Sequence, residues 1–184
     1  MNGKPGGTYT IATGTAADGT ETVNVVAAVK VKVLVANYTY EFSSTETWKN
    51  GRLVALRSQS NDDGKRRAVT AAAAERGLMV TAGKETKLVG ADVITSTGVR
   101  VLAGEKVRDV VVLDAEDGSE TAARVEPLGA CKVPLNGAVI EGTRFKLTGK
   151  DLAAEWWFDA SGRVIRQEMK WDGHKVVLEL TGVK

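Results

Sequence analysis

The chain has 184 residues, 43% hydrophobic and 26% charged, which fits one soluble globular domain spanning 1–184 with a core of its own. Its 25 lysines and arginines against 23 acids leave a net charge of +2, which excludes a strongly basic nucleic-acid-binding surface, and Lys65-Arg66-Arg67 is too short a run to supply one. The one cysteine, Cys131, excludes an intrachain disulfide and a cysteine-built zinc site, and a lone cysteine is most often a small packing residue.

Met1 to Gly7 reads as a loose entry into a strand pair. It fits an exported protein whose leader is absent from this chain, and equally a cytoplasmic one with a short free N-terminus. No apolar run reaches the roughly 18 residues of a spanning helix. Thr8 to Gly14 alternates as a strand, and Asp18-Gly19 marks a turn. Thr20 to Val33 is a long β-branched run with Val23, Val25, Ala27, Val29, Val31 and Val33 on one parity. The apolar parity then changes from odd to even, which requires a bulge, a bend or a tight connection over Leu34 to Asn37.

Tyr38, Tyr40, Phe42 and Trp48 share one face of the next strand. Asn50-Gly51 is a strong hairpin signal, because a type I′ turn needs positive φ at both central residues. A regular pairing across it sets Trp48 by Leu53, Glu46 by Ala55, Ser44 by Arg57 and Phe42 by Gln59. Glu46 and Arg57 are then diagonal neighbours on a largely aromatic face. Asp63-Gly64 centres a second turn that pairs Arg57 with Thr70 and Leu56 with Ala71. Ala68 to Arg76 has helix-forming alanines, but it continues the meander and is read as strand.

Leu78 to Thr81 and Glu85 to Val89 are short strands between glycines. Val93 to Arg108 is hard to read, with Val99 to Leu102 a strand candidate. Lys106 to Asp114 holds the buried run Val110 to Leu113. Asp117-Gly118 turns it, Glu120 to Pro127 returns, and Cys131 to Val133 stops at Pro134. Asn136-Gly137 turns into Val139 to Leu147. Leu152 to Asp159, Arg163 to Trp171 and His174 to Thr181 complete the chain through turns at Ala160 to Gly162 and Asp172-Gly173. The last turn sets Trp171 by His174, Gln167 by Leu178 and Arg166 by Glu179, and regular pairing puts Glu155 and Trp157 on the apolar face with Gln167. The whole pattern predicts an all-β fold: a strongly curved antiparallel meander forming a half-barrel or barrel, with at most one or two short helices.

Val29-Lys-Val-Lys-Val-Leu34, Tyr38-x-Tyr40, Ser44-x-Glu46-x-Trp48, Asn50-Gly-Arg-Leu53 and Asn61-Asp-Asp-Gly64 resemble a family of uncharacterised, mostly exported bacterial proteins. Arg124-Val-Glu-Pro-Leu-Gly129, Leu147-Thr-Gly149 and Trp157-Phe-Asp-x-x-Gly162 fit its C-terminal half, while residues 85–108 depart from it. The pattern is similar to lipoprotein-carrier-like (LolA-like) half-barrels, in which the sheet curls round a short plug. The resemblance implies an apolar or amphipathic ligand in the concave face and an exported location; a few similar folds are cofactor-free enzymes, and no cofactor is expected here.

The candidate ligand-binding residues are Tyr38, Tyr40, Phe42, Glu46, Trp48, Arg57, Trp157 and Gln167. Glu46 and Arg57 would hold a polar head, and the plainer reading is a satisfied cross-strand ion pair. Glu46 and Glu155 are the carboxylates for the alternative, a cofactor-free acid–base enzyme. His174 sits at a hairpin end, and no Gly-x-Ser-x-Gly elbow accompanies it. With one histidine and one cysteine no metal site is expected, and Asn61 to Gly64 lacks the rest of a calcium loop. Oligomeric state does not follow from the residues.

Overall fold

The structure, a computed structural model, describes residues 6–33, 36–100, 106–135, 137–171 and 174–183. Among them the strands are β1 (Gly7–Thr15), β2 (Glu21–Val33), β3 (Ala36–Lys49), β4 (Arg52–Asp62), β5 (Lys65–Ala74), β6 (Gly77–Ala82) and β7 (Glu85–Val89), followed by β8 (Val93–Thr95), β9 (Arg108–Leu113), β10 (Glu120–Leu135), β11 (Ala138–Gly149), β12 (Leu152–Asp159), β13 (Val164–Trp171) and β14 (His174–Glu179). No helix is present among the described residues. Each strand lies beside its neighbour in sequence, in two seven-stranded sheets, β1 to β7 and β8 to β14. One sheet is a curled half-barrel. The all-β antiparallel expectation holds.

The turns form where the sequence supplies residues that tolerate positive φ. Asn50 and Gly51 have φ of 51° and 78°, and Asp63 and Gly64 have 48° and 95°. These are the signs that type I′ turns require. Val33 pairs with Ala36, so β2 and β3 are joined as a hairpin, and that exchanges the parity of their buried faces. Leu34 and Val35, where the bend was expected, lie outside the described residues. So do Asn136, Asp172 and Gly173. Val99 and Arg100 are not in a strand, and the rest of that predicted strand lies outside the described residues; the short strand is β8 instead.

Two registers differ from the regular ones. Trp48 faces Leu53 as expected, but Thr47 then faces Ala55 and Glu46 faces Leu56. Val54 is the extra residue of a β-bulge, which lets both Leu53 and Leu56 point inward. Beyond it every side chain of β4 is displaced by one, so Arg57 falls opposite Thr45 and is exposed on the other face. In β12 and β13, Trp156 faces Gln167 and Trp157 faces Arg166, with a register shift before Phe158. The predicted grouping of Glu155 and Trp157 with Gln167 is therefore replaced by Trp156 with Gln167. A third correction concerns β10, which is one strand of 16 residues rather than two short ones. Pro127 is tolerated there because the register shifts at that point, and Pro134 because the strand is ending.

The described chain divides into two compact units: residues 1–97 with 113–120, and residues 98–112 with 121–184. In the first unit one face of β2 to β6 is covered. Val23, Val25, Phe42, Trp48, Leu53, Leu56, Val69 and Val80 are buried there. The cover is a plug made by Val93 to Thr97 and the turn at Asp114 to Gly118. Ser96 N–H donates to the Leu113 carbonyl at 3.0 Å, and Ala115 N–H to Ser96 Oγ at 2.9 Å, so the two pieces of the plug hold each other. Gly118 lies against Val69, Val80 and Ala82, and a Cβ there would come within 3.0 Å of Ala82.

In the second unit Val125, Phe145, Leu147, Trp156, Phe158 and Gln167 are buried. Phe145 and Phe158 meet edge to face, with centroids 6.0 Å apart. Gln167 is satisfied by donating to the Gly98 carbonyl at 3.0 Å. A smaller cluster forms from Val133, Leu135, Trp157 and Ile165, with Cys131, Ile140 and Leu180 packed against it. Half-buried Cys131 thus has the packing role expected of a lone cysteine, and burial raises its thiol pKa above the ordinary value.

Candidate functional site

β3 carries the aromatic row, and the structure divides it in two. Its lower half is sealed. Glu46 is 0% exposed and Trp48 is 2% exposed. Trp48 Nε1–H donates to Glu46 Oε2 at 2.9 Å, and the Thr97 hydroxyl donates to Glu46 Oε1 at 2.7 Å. Thr95 Oγ1 lies 2.9 Å from Thr97 Oγ1, and Tyr9 O–H donates to the Thr97 carbonyl at 3.1 Å. Burial first, and the Glu46 charge second, push the Tyr9 phenol far above its ordinary range. A carboxylate so enclosed is stable only with its hydrogen bonds made. This network fastens the plug to the sheet.

The upper half is open. Tyr38 and Tyr40 are half-buried, and both phenols point at carboxylates. Tyr38 donates to Asp62 Oδ1 at 2.8 Å, and Tyr40 to Glu116 Oε1 at 2.6 Å. Burial drives the Tyr40 phenol well above its ordinary range, and the bond to Glu116 adds to this. Burial also raises the Glu116 carboxyl pKa; the Tyr40 bond opposes that, and the Asp114 charge adds to it. Burial raises Asp114 in the same direction. Arg67 Nη1 stands 4.0 Å from Glu116 Oε2.

Beside this cluster lies an open trough of about 990 Å³. Residues of both sheet faces line it, with Phe42, Ser60 and Arg67 on one and Ser43, Gln59 and Ala68 on the other. Ala27, Phe42, Ala68 and Ala82 give it apolar surface, and Arg66, Arg67, Glu41 and Glu116 give it charge. Ser60 also lines it; its hydroxyl is buried with no hydrogen-bond partner among the described residues, as is that of Ser44. Of the residues picked from sequence, Phe42 lines the trough and Tyr40 is tied to its wall. Glu46 and Trp48 lie in the sealed part, and Arg57 is exposed on the opposite face. Glu116, Arg67 and Ser60 were not anticipated. The only signal for Glu116 was the density of acids in Asp114-Ala-Glu-Asp-Gly118 directly after a buried strand.

In the second unit Arg144 ion-pairs with Glu155, with Nε 2.9 Å from Oε2. The guanidinium carbons of Arg144 and Arg166 lie over the Trp157 ring, 5.1 and 5.5 Å from its centroid. Arg166 bonds Glu168 and Glu179, and Lys175 reaches Glu168 at 2.7 Å. Hydrogen bonds from Lys175 and then Arg166 hold the Glu168 carboxyl below its ordinary range. A hollow of about 240 Å³ beside Trp157 is lined by these charges. Every one of its carboxylates is already engaged, which fits a structural ion-pair lattice over a buried ring. Among the described residues no group of three or more histidine, cysteine or acidic side chains is placed to hold a metal, and no helix is long and apolar enough to cross a membrane.

The fold is a pair of sequential antiparallel sheets, one of them a curled half-barrel, and the first unit carries the open trough. Residues 1–181 match a domain of unknown function, DUF6134, and the chain belongs to that family. Among solved structures it is similar to the crystal structure of a β-barrel-like protein of domain of unknown function DUF1849 from Brucella abortus. The TM-score is 0.65 at 11% sequence identity, over 94% of this chain and 86% of that one. No curated protein matches the chain.

Proposed function

We propose that the protein binds an amphipathic small molecule in the trough of the first unit. One observation carries this reading: the 990 Å³ trough, along one sheet face of which apolar Ala27, Phe42 and Ala82 stand with charged Arg67 and Glu116. Its volume is that of small-molecule sites, which are roughly 300–1,000 Å³, and such sites combine apolar walls with a few placed polar groups. Phe42 takes the apolar body of the ligand and Tyr40, Glu116 and Arg67 take its polar end. This moves the polar end from Glu46 and Arg57 to Glu116 and Arg67, and leaves Trp157 and Gln167 outside the site. With the reading goes an exported, LolA-like carrier role, which the sequence resemblance implies and cell fractionation tests.

Native mass spectrometry of the protein as purified is the direct test. A co-purified amphiphile that is lost on organic extraction and returns on adding a fatty-acid panel is the expected result. A clean apo mass that no fatty acid or aromatic ligand shifts would overturn the proposal.

A second reading, a cofactor-free enzyme, is favoured by the 2.6 Å contact between Tyr40 and Glu116 at the trough wall. A carboxyl raised by burial beside a phenol is an acid–base pair. In that case Glu116→Gln abolishes turnover without unfolding the chain, whereas Glu46 and Glu155 act only through the fold.

A further inference from the structure

β1 is an edge strand. In the order β1 to β7 it has β2 on one side and, among the described residues, no strand on the other. Lys30 N–H donates to the Gly6 carbonyl at 2.9 Å, so Gly6 turns its backbone groups toward β2. Antiparallel alternation carries that orientation to Thr8, Thr10, Ala12 and Gly14. The N–H and C=O groups of Tyr9, Ile11 and Thr13 therefore point to the open side. Among the described residues they take no backbone partner there.

Soluble proteins blunt such edges with charges, proline, bulges or short strands. The other three edges follow this rule. β7 has five residues with Glu85 and Lys87, β14 has six with Lys175 and Glu179, and β8 is only three residues long. β1 has nine residues, Gly-Thr-Tyr-Thr-Ile-Ala-Thr-Gly-Thr, with no charge, no proline and no register shift against β2. It presents about 30 Å of continuous edge.

We propose that two copies of this chain pair through β1, antiparallel about a two-fold axis at Ile11. The self-pairing follows from register and charge. A two-fold axis there sets Ile11 against the partner's Ile11 and Tyr9 against the partner's Thr13. These are the residues with open backbone groups, so each pairing closes its hydrogen bonds. An uncharged strand meets its own copy without like-charge repulsion, while its lack of charge offers nothing to select an acidic or basic peptide. The interface is isologous, as the commonest dimers are.

Sedimentation of the protein from micromolar to hundreds of micromolar tests the pairing. The expected result is a monomer–dimer equilibrium. Thr13→Pro removes an outward N–H and leaves the ladder to β2 intact, so it weakens dimerisation by about tenfold or more with no change in melting temperature. Spin labels at Thr8→Cys, in a Cys131→Ser background, should lie about 20 Å apart along the strand, six residues of offset in this register. A monomer at every concentration, a dimer indifferent to Thr13→Pro, or a label distance incompatible with that offset would each overturn the proposal.

Discussion

Thr97 donates its hydroxyl to Glu46 Oε1 at 2.7 Å, across 51 positions of sequence. The bond ties the plug to the sheet at a point with no exposure to water. Glu46→Ala leaves Thr97 Oγ1 and Trp48 Nε1 buried without that acceptor. The expected cost is about 3 kcal/mol in urea denaturation. Glu46→Gln keeps an acceptor oxygen and costs less. A change below about 0.5 kcal/mol for Glu46→Ala would mean that the plug does not depend on this bond.

Gly98 has φ of +62°, and a Cβ there would stand 2.7 Å from both Gln167 Nε2 and Trp156 Cε2. Gly98→Ala is therefore strained in backbone and crowded in side chain. We expect a loss of about 2–4 kcal/mol, with a downward shift of the thermal midpoint. Gly14→Ala meets no atom within 4 Å and is the matched control.

The Glu116 carboxyl has a folded pKa above the ordinary 4.5, so the fold favours its protonated form. That contribution is fully present below the unfolded value and is lost as pH rises through the folded one. Glu116→Gln does not titrate. Its stability relative to the parent should rise as pH climbs above the ordinary 4.5, as read from denaturant midpoints. A difference that stays flat above that value would show that Glu116 is not held up by burial.

Arg67 is exposed, lines the trough and is on the same sheet face as Ser60 and Phe42. Arg67→Ala removes the cation at the polar end without touching the buried core, so melting should be unchanged while the co-purifying or added amphiphile is lost from the native mass spectrum. Retained ligand with unchanged affinity would place binding elsewhere in the chain.

The strands were legible because valine runs and alternating faces specify them, and the hairpins were legible because Asn50-Gly51 and Asp63-Gly64 can adopt positive φ. Bulges have no comparable mark. Val54 and the shift at Phe158 involve neither glycine nor proline, yet each turns every later side chain to the opposite face. Arg57 and Glu155 were misplaced for that one reason. Glu116 was hidden differently. Its partner Tyr40 lies 76 positions away, and only the folded plug brings them together.

The sequential strand order has a consequence for how the molecule is made. Each strand of the first sheet pairs with the one synthesised just before it, so only short loops need closing and pairing can follow the chain as it leaves the ribosome. The plug breaks that sequence. Thr97 emerges after all seven strands, and Asp114 to Gly118 later still. Until then Glu46 lacks its Thr97 partner and the face bearing Phe42 and Leu56 lacks its cover. The nascent sheet therefore passes through an interval of exposed apolar surface, and that interval is where a chaperone would find its client.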